Sequence, residues 1–139
     1  MGRKKILFAD RDANLARKIN LFLTEEGYDV TWVDKGVQVL QFLDSQQWDI
    51  LIIEKNLPLV DGIGIMKYCY QFLPDLPVIL TTSSPSLDAA LQVIRYRGWD
   101  YLIKPFSLVY LLKRIEEGLE KKSMKKAQKK KPKKGKNCK

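Results

Sequence analysis

The residues of this sequence best suited to chemistry follow short apolar stretches that are predicted to be β-strands. In chain order they are Asp10, Arg11, Glu54, Thr82, Ser83, Lys104 and Pro105. Because the carboxyl ends of parallel strands meet at one edge of a sheet, we expect these side chains to converge. The two acids, the arginine and the lysine have formal charges that sum to zero without a metal ion. The predicted pocket is therefore neutral before any ligand binds.

Several kinds of site are excluded by what the sequence lacks. It has no histidine, which removes histidine-based triads and the common zinc sites. No GxxxxGK or GxGxxG stretch occurs, and the loop after the first strand has acids where a phosphate-cradling loop would have Ser, Thr and Gly. Nucleotide and flavin binding are therefore disfavoured. Cys69 and Cys138 lie too far apart for a metal knuckle and are predicted to be free thiols.

Five repeats of strand and helix are predicted to position these residues. The third strand should be central and buried on both faces, because its interior is entirely apolar. Asp12 is predicted to cap the first helix, and Gly27 to end it in a left-handed conformation. Regular alternation of strands and helices predicts a doubly wound α/β fold with helices on both faces of a parallel sheet. The strands are predicted at residues 4–9, 28–33, 49–54, 77–81 and 101–103.

The later helices are predicted from apolar stripes at helical spacing. The third helix is placed around residues 63–72. The other stripes consist of Val37, Leu40 and Leu43 for the second helix, Leu87, Ala90, Leu91 and Ile94 for the fourth, and Leu108, Leu111, Leu112, Ile115 and Leu119 for the fifth.

The net charge of +9 is concentrated at the C-terminal end of the chain. From Lys121 onwards there are 11 lysines and no acid, so residues 1–120 hold 14 basic residues against 16 acidic ones. We predict one domain at 1–120 and a Lys-rich, disordered tail at 121–139, with an extension of the last helix left open. No apolar run suits a membrane helix or a signal peptide, which predicts a cytoplasmic protein without a membrane span. No output domain is expected to follow, because residues 118–139 could not fold one.

Over about residues 4–120 the chain resembles the CheY-like receiver domains of response regulators. The resemblance rests on segments that occur in the family's order and at its spacing. These are Ile6–Asp12, Asp49–Glu54, Leu57-Pro58, Asp61-Gly62, Pro77–Thr82 and Tyr101–Phe106. It implies a flavodoxin-like fold with the strand order 2-1-3-4-5 and a role in two-component phosphorelay signalling.

The resemblance also implies roles for single residues. Asp10 matches a Mg²⁺-binding acid, and Thr82 matches the hydroxyl residue that responds to phosphorylation. Lys104, followed by Pro105, matches the lysine that binds phosphoryl oxygens and usually precedes a cis-proline. Two further matches are Tyr101, at the position of a switch aromatic, and Asn56, at the position of a backbone carbonyl ligand of the metal.

Two residues depart from the family pattern. Glu54 stands where the phosphoacceptor aspartate is expected, and Arg11 stands where the second metal-binding acid is expected. A pocket already neutralised by Arg11 and Lys104 predicts that Mg²⁺ binds weakly or not at all through Asp10, Glu54 and Asn56. No other cofactor is expected. Asp12 is interpreted as a helix cap and not as a substitute ligand.

Three states of the pocket are left open by the sequence. Glu54 could hold Thr82 and Lys104 in an active-like arrangement, it could pair with Arg11 in an inert pocket, or it could retain residual phosphotransfer. We do not expect an enzyme. Signal is expected to leave through the fourth helix, fifth strand and fifth helix to a signalling partner, either a histidine kinase or a downstream target.

The Lys121–Lys139 tail has two interpretations. It could simply keep the protein in solution, or it could attach the receiver scaffold to nucleic acid or another anionic surface in a salt-dependent way. Met124 is its only apolar residue beyond alanine, and no aromatic residue is interleaved with the lysines. A membrane-inserting helix and a base-stacking platform are therefore disfavoured.

Overall fold

The computed structural model describes residues 2–130, in which strands and helices alternate along the chain. The ten elements are β1 (Lys5–Ala9), α1 (Ala13–Glu25), β2 (Asp29–Val33), α2 (Gly36–Ser45), β3 (Ile50–Glu54), α3 (Gly62–Phe72), β4 (Val78–Thr82), α4 (Leu87–Arg95), β5 (Asp100–Ile103) and α5 (Leu108–Lys130). Thr82, predicted to follow the fourth strand, is the last residue of β4.

The five strands form one parallel sheet in the order β2-β1-β3-β4-β5, which confirms the predicted fold class. Every residue of β3 and β4 is buried, as continuous apolar strands between two helical layers require. One face of the sheet packs against α1 and α5, and the opposite face packs against α2, α3 and α4. The carboxyl ends of β1, β3, β4 and β5 therefore meet at one edge.

Local sequence signals set both ends of α1. The side chain of Asp12 accepts hydrogen bonds from the backbone N–H groups of Asn14 and Leu15, at 3.0 and 3.1 Å. Gly27 follows the helix with a φ of 98°, a conformation that suits glycine. Both predictions are confirmed, and the cap fixes where the loop between β1 and α1 ends.

The apolar stripe of α4 was assigned to the wrong helix face, whereas in α2 Leu43 is buried, Leu40 packs against the core and only Val37 lies outside. Leu91 is 54% exposed and Ile94 is 74% exposed, whereas Ala89 and Val93 face the sheet. The sheet accepts small side chains at this position, so the larger apolar residues of α4 lie outside. Other members of the predicted stripes that are exposed are Val37 and Leu87.

The last helix runs past the predicted domain boundary to Lys130. Lys122 fixes this extension, because its ammonium group donates to the carbonyl oxygens of Trp48 and Asp49, at 2.9 and 3.4 Å. Its side chain is only 13% exposed, and burial is the main cause that lowers the pKa of Lys122. The rest of the predicted tail, with Cys138, lies outside the described residues. Within residues 2–130 no helix has the length and apolar character needed to cross a membrane.

Candidate functional site

Two buried carboxylates lie at the carboxyl ends of neighbouring central strands. Asp10 directly follows β1 and is fully buried, and Glu54 ends β3 with 5% of its surface exposed. The loop after β3 packs tightly on this position, since a Cβ atom added to Gly62 would lie 2.5 Å from the carbonyl oxygen of Glu54. Any larger residue at Gly62 would displace the loop from the pocket.

Lys104 bridges the two acids. Its ammonium nitrogen lies 2.7 Å from Oδ2 of Asp10 and 3.1 Å from Oε1 of Glu54. The backbone N–H of Lys104 donates to the carbonyl oxygen of Thr82, which fixes the end of β5 beside β4. The peptide bond between Lys104 and Pro105 is cis. The side chain of Lys104 is 14% exposed, so the bridge lies largely out of water.

Arg11 contacts the remaining oxygen of Glu54. Its backbone N–H donates to Oε2 at 3.0 Å, and its guanidinium Nε lies 3.5 Å from the same oxygen. The backbone N–H of Asp12 donates to Oδ1 of Asp10 at 2.8 Å. Each of the four carboxylate oxygens in the pocket therefore already faces an N–H group or an ammonium group.

These residues do not fit Mg²⁺. A magnesium ion takes oxygen ligands in near-octahedral geometry, and the two carboxylates that could supply them are occupied by Lys104 and Arg11. Asp12 is committed to capping α1, and the role of Asn56 as a backbone carbonyl ligand remains a prediction. Across residues 2–130 there is no group of three or more His, Cys, Asp or Glu residues that could hold a metal ion.

Burial and pairing act in opposite directions on the charges of the pocket. Burial raises the pKa of Asp10 above its ordinary value of 3.8 and outweighs the hydrogen bonds from Lys104 and Asp12. Burial alone would lower the pKa of Lys104, but contacts with Asp10 and Glu54 outweigh it and raise that pKa. The pocket therefore holds the positive charge of Lys104 firmly and the negative charge of Asp10 less firmly.

Thr82 and Tyr101 lie near the pocket without joining its charged network. Thr82 is fully buried, and its hydroxyl oxygen accepts from the backbone N–H of Ser84 at 2.9 Å. The hydroxyl oxygen of Tyr101 accepts from the backbone N–H of Ser86 at 3.3 Å. Within residues 2–130 no hydrogen bond joins Thr82 to Glu54. The proposed roles of Thr82 and Tyr101 remain predictions.

Comparison with known proteins agrees with this fold. The model of the response regulator receiver domain family matches residues 6–116. The chain belongs to this family. The receiver is 30% identical over 119 residues to the DNA-binding transcriptional regulator NtrC of Escherichia coli, an alignment that covers 86% of this chain and 25% of NtrC. It is 27% identical over 112 residues to the transcriptional regulatory protein QseB of Haemophilus influenzae, covering 81% of this chain and 51% of QseB.

Solved structures of receiver domains superimpose on the described fold. A CheY-like receiver domain protein from Methanospirillum hungatei superimposes with a TM-score of 0.86 at 22% identity, covering 89% of this chain and 99% of that one. The receiver domain of Francisella response regulator 1452 superimposes with a TM-score of 0.79 at 28% identity, covering 86% and 98%. The receiver thus spans whole receiver domains but about a quarter of the length of NtrC.

Two residues of the receiver pocket were missed by the sequence analysis. Trp32 donates its indole N–H to the carbonyl oxygen of Asp10 at 2.9 Å and so holds the loop that follows β1. Lys18 lines the pocket mouth, a cavity of about 660 Å³ that also includes Arg11, Ser83 and Lys104. Lys18 lies one helical turn after Leu15, which lines the same cavity, so its position on α1 could have indicated it. The contact of Trp32 depends on the register of β2 against β1, which the sequence does not show.

Replacing Asp10 by asparagine is expected to change how receiver stability depends on pH. Because the folded pKa of Asp10 is raised above 3.8, its contribution to stability is fully present below that pH and is lost as pH rises through the folded pKa. The Asp10→Asn variant should lack this loss. Urea unfolding of both proteins across the acid range measures the difference, and parallel pH curves would contradict the prediction.

Proposed function

We propose that this receiver is a fixed-state signalling module, in which an internal ion-pair network takes the place of phosphorylation. One observation carries the proposal: all four oxygens of Asp10 and Glu54 already have cationic or N–H partners within the chain. A phosphoryl group and Mg²⁺ would have to displace both Arg11 and Lys104 from these oxygens. Family membership supports a role in two-component signalling, and the pocket supports a departure from its usual chemistry.

The geometry of Glu54 argues against phosphotransfer at this position. The extra methylene group moves the carboxylate outward by roughly 1.5 Å, the length of one carbon–carbon bond, relative to an aspartate. Reactions that depend on positioning tolerate about a third of that displacement. Glu54 is also engaged at Oε1 by Lys104 and at Oε2 by Arg11, which leaves neither oxygen free to attack phosphorus.

Of the three states left open by the sequence, the contacts favour the pocket closed by Arg11. Glu54 lies within hydrogen-bonding distance of Lys104 and of the Arg11 backbone, and Thr82 is satisfied by Ser84 instead. A carboxylate that imitated a phosphoryl group would contact Lys104 and Thr82 together. The proposed state is therefore fixed by Arg11 and is not an imitation of phosphorylation.

In this proposal the signal leaves through protein contact at the face formed by α4, β5 and α5. Several large apolar residues on this face are exposed, which suits a protein partner better than solvent. A histidine kinase or a downstream target is the class of partner that we propose. The exposed apolar residues of the face are Leu87, Leu91, Ile94, Ile103, Val109 and Tyr110.

The decisive experiment is a titration with Mg²⁺ and beryllofluoride, a phosphoryl mimic, followed by amide NMR shifts of Glu54, Thr82 and Lys104. We expect no saturable shifts in the wild-type receiver, because the pocket has no carboxylate oxygen to offer. The matched control is the double variant Arg11→Asp, Glu54→Asp, in which saturable shifts should appear. Saturable shifts in the wild-type protein would overturn the proposal and restore a phosphorylation switch.

A further inference from the structure

A second charged region lies at the opposite end of the sheet from the carboxylate pocket. It is built on the extension of α5, which Lys122 anchors to the residues just before β3 through the carbonyl oxygens of Trp48 and Asp49. Its ammonium group also lies 3.8 Å from Oδ1 of Asp49. The extension is therefore held against the domain, and Lys125 and Lys126 line cavities together with residues of α3.

Three neighbouring cavities line this end of the molecule, with volumes of about 750, 580 and 450 Å³. All three share Pro74, Asp75 and Leu76 in the loop between α3 and β4, so they lie next to one another around this loop. We call the three cavities together the basal groove and define it by Tyr70, Phe72, Asp75, Arg97, Lys125 and Lys126.

The basal groove is cationic. Five basic side chains line its cavities against two acidic ones, Asp44 and Asp75. Lys121 and Lys125 are four residues apart, as are Lys122 and Lys126, so they form two adjacent rows on α5. The sequence after Lys130 contains further lysines and no acid. The basic residues of the groove are Arg97, Lys121, Lys122, Lys125 and Lys126.

The groove also contains exposed aromatic rings that the tail sequence itself lacks. Tyr70 is 43% exposed and lines the same cavity as Lys125, and Phe72 is 58% exposed and lines the same cavity as Lys126. Tyr96 packs edge-on against Tyr70, with 5.7 Å between ring centroids. The argument from sequence against a base-stacking platform considered the tail alone, and it did not include aromatic residues that α3 places beside the lysines.

We propose that the basal groove binds single-stranded nucleic acid. Phosphate groups would contact Arg97, Lys125 and Lys126, and unpaired bases would stack on Tyr70 and Phe72. A cationic groove with exposed aromatic rings is the general arrangement by which proteins hold single strands without sequence preference. The proposal is independent of the carboxylate pocket and of its fixed state.

Other anionic partners match these features less well. A duplex keeps the faces of its bases stacked, so it could use the lysines but not Tyr70 and Phe72. An anionic membrane would be expected to meet a helix with a substantial apolar face, and the described extension offers only Met124 and Ala127. An acidic peptide would satisfy the cations without requiring planar rings. Each alternative therefore predicts a different response to loss of the aromatic side chains.

The test is fluorescence anisotropy of a labelled oligothymidylate of about 20 nucleotides, titrated with the full chain at several salt concentrations. We expect saturable binding in the micromolar range that weakens steeply with salt. An abasic phosphodiester oligomer of equal length separates base stacking from phosphate contact. The Tyr70→Leu, Phe72→Leu variant should weaken oligothymidylate binding at least about fivefold and leave binding of the abasic oligomer unchanged.

Charge-reversal variants distinguish the groove from general basicity. Lys125→Glu with Lys126→Glu should weaken binding of both oligomers about tenfold or more. The matched control is Lys35→Glu with Lys113→Glu, which makes the same change in net charge at exposed positions outside the groove. A full-length variant with the lysines of residues 131–139 replaced by serine should retain the preference for oligothymidylate over the abasic oligomer.

Several results would overturn the proposal. If the Lys125→Glu, Lys126→Glu variant and the Lys35→Glu, Lys113→Glu control lost equal affinity for the oligomers, the protein would attract them through its net charge alone. Unchanged oligothymidylate affinity after loss of Tyr70 and Phe72 would exclude stacking. Binding to phosphatidylglycerol vesicles or to polyglutamate, with no binding of the oligothymidylate, would assign the groove to a different partner. Circular dichroism of each variant verifies that it is folded.

Discussion

Replacing Lys104 by methionine is expected to lower the free energy of unfolding by about 3–5 kcal/mol. The ammonium group of Lys104 lies between Asp10 and Glu54, whose side chains are 0% and 7% exposed. Without it, two buried carboxylates would face each other with only backbone N–H groups and Arg11 to offset their repulsion. Urea unfolding at neutral pH measures the loss.

The size of this loss reflects the two carboxylates that stay buried without their cation, rather than the strength of one ion pair. A buried charge that loses its partner still carries the free-energy cost of its removal from water, which the partner no longer offsets. Neutralising the acids in the same protein should therefore recover most of the stability. We expect the triple variant Lys104→Met, Asp10→Asn, Glu54→Gln to have a free energy of unfolding within about 1.5 kcal/mol of that of the wild-type protein, because its three substituted side chains are uncharged.

Two outcomes would contradict this account. If the single variant lost less than about 1 kcal/mol, the pocket would be more hydrated than its burial indicates. If the triple variant were as unstable as the single one, Lys104 would act through packing of its methylene groups rather than through charge. The comparison therefore isolates the electrostatic contribution of the bridge.

The architecture could be predicted because its strongest signals are local. The buried strands β3 and β4 are continuous apolar runs, and Asp12 and Gly27 mark the ends of α1 in the sequence itself. The inward face of α4 could not be predicted in the same way. Its larger apolar residues point outward, and small residues fill the limited space against the sheet.

The members of the carboxylate pocket were also predictable, but their pairing was not. Strand ends in a parallel sheet bring Asp10, Glu54 and Lys104 together whatever their side-chain conformations. Which oxygen faces which cation depends on rotamers, and the sequence left the Arg11–Glu54 pair as one alternative of three. The distances of 3.0 and 3.5 Å from Arg11 to Oε2 of Glu54 supply that missing information.

The basal groove could not be predicted from the sequence for a different reason. Its aromatic rings come from α3, and its lysines come from α5, about 50 positions later in the chain. The two sets meet only because α5 continues as a helix and Lys122 anchors it beside β3. The tail sequence alone shows lysines without aromatic residues, which led to the opposite expectation.

Placing aspartate at positions 11 and 54 is expected to make receiver stability depend on Mg²⁺. The double variant Arg11→Asp, Glu54→Asp would place three carboxylates around Lys104, so the pocket would carry a net negative charge and free oxygen ligands. Repulsion should destabilise this variant without metal. Binding to the folded state alone should then stabilise it by about 2.7 kcal/mol when the concentration of Mg²⁺ is 100 times its dissociation constant.

The wild-type receiver should respond differently in the same measurement. Because its pocket is neutral and its oxygens are occupied, we expect millimolar MgCl₂ to change its free energy of unfolding by less than about 0.5 kcal/mol. NaCl at equal ionic strength controls for screening. The single variant Glu54→Asp, which keeps Arg11, should resemble the wild type if the guanidinium group blocks the metal. A strong Mg²⁺ response in that single variant would instead make Glu54 alone responsible, and Arg11 would lose its proposed role in closing the pocket.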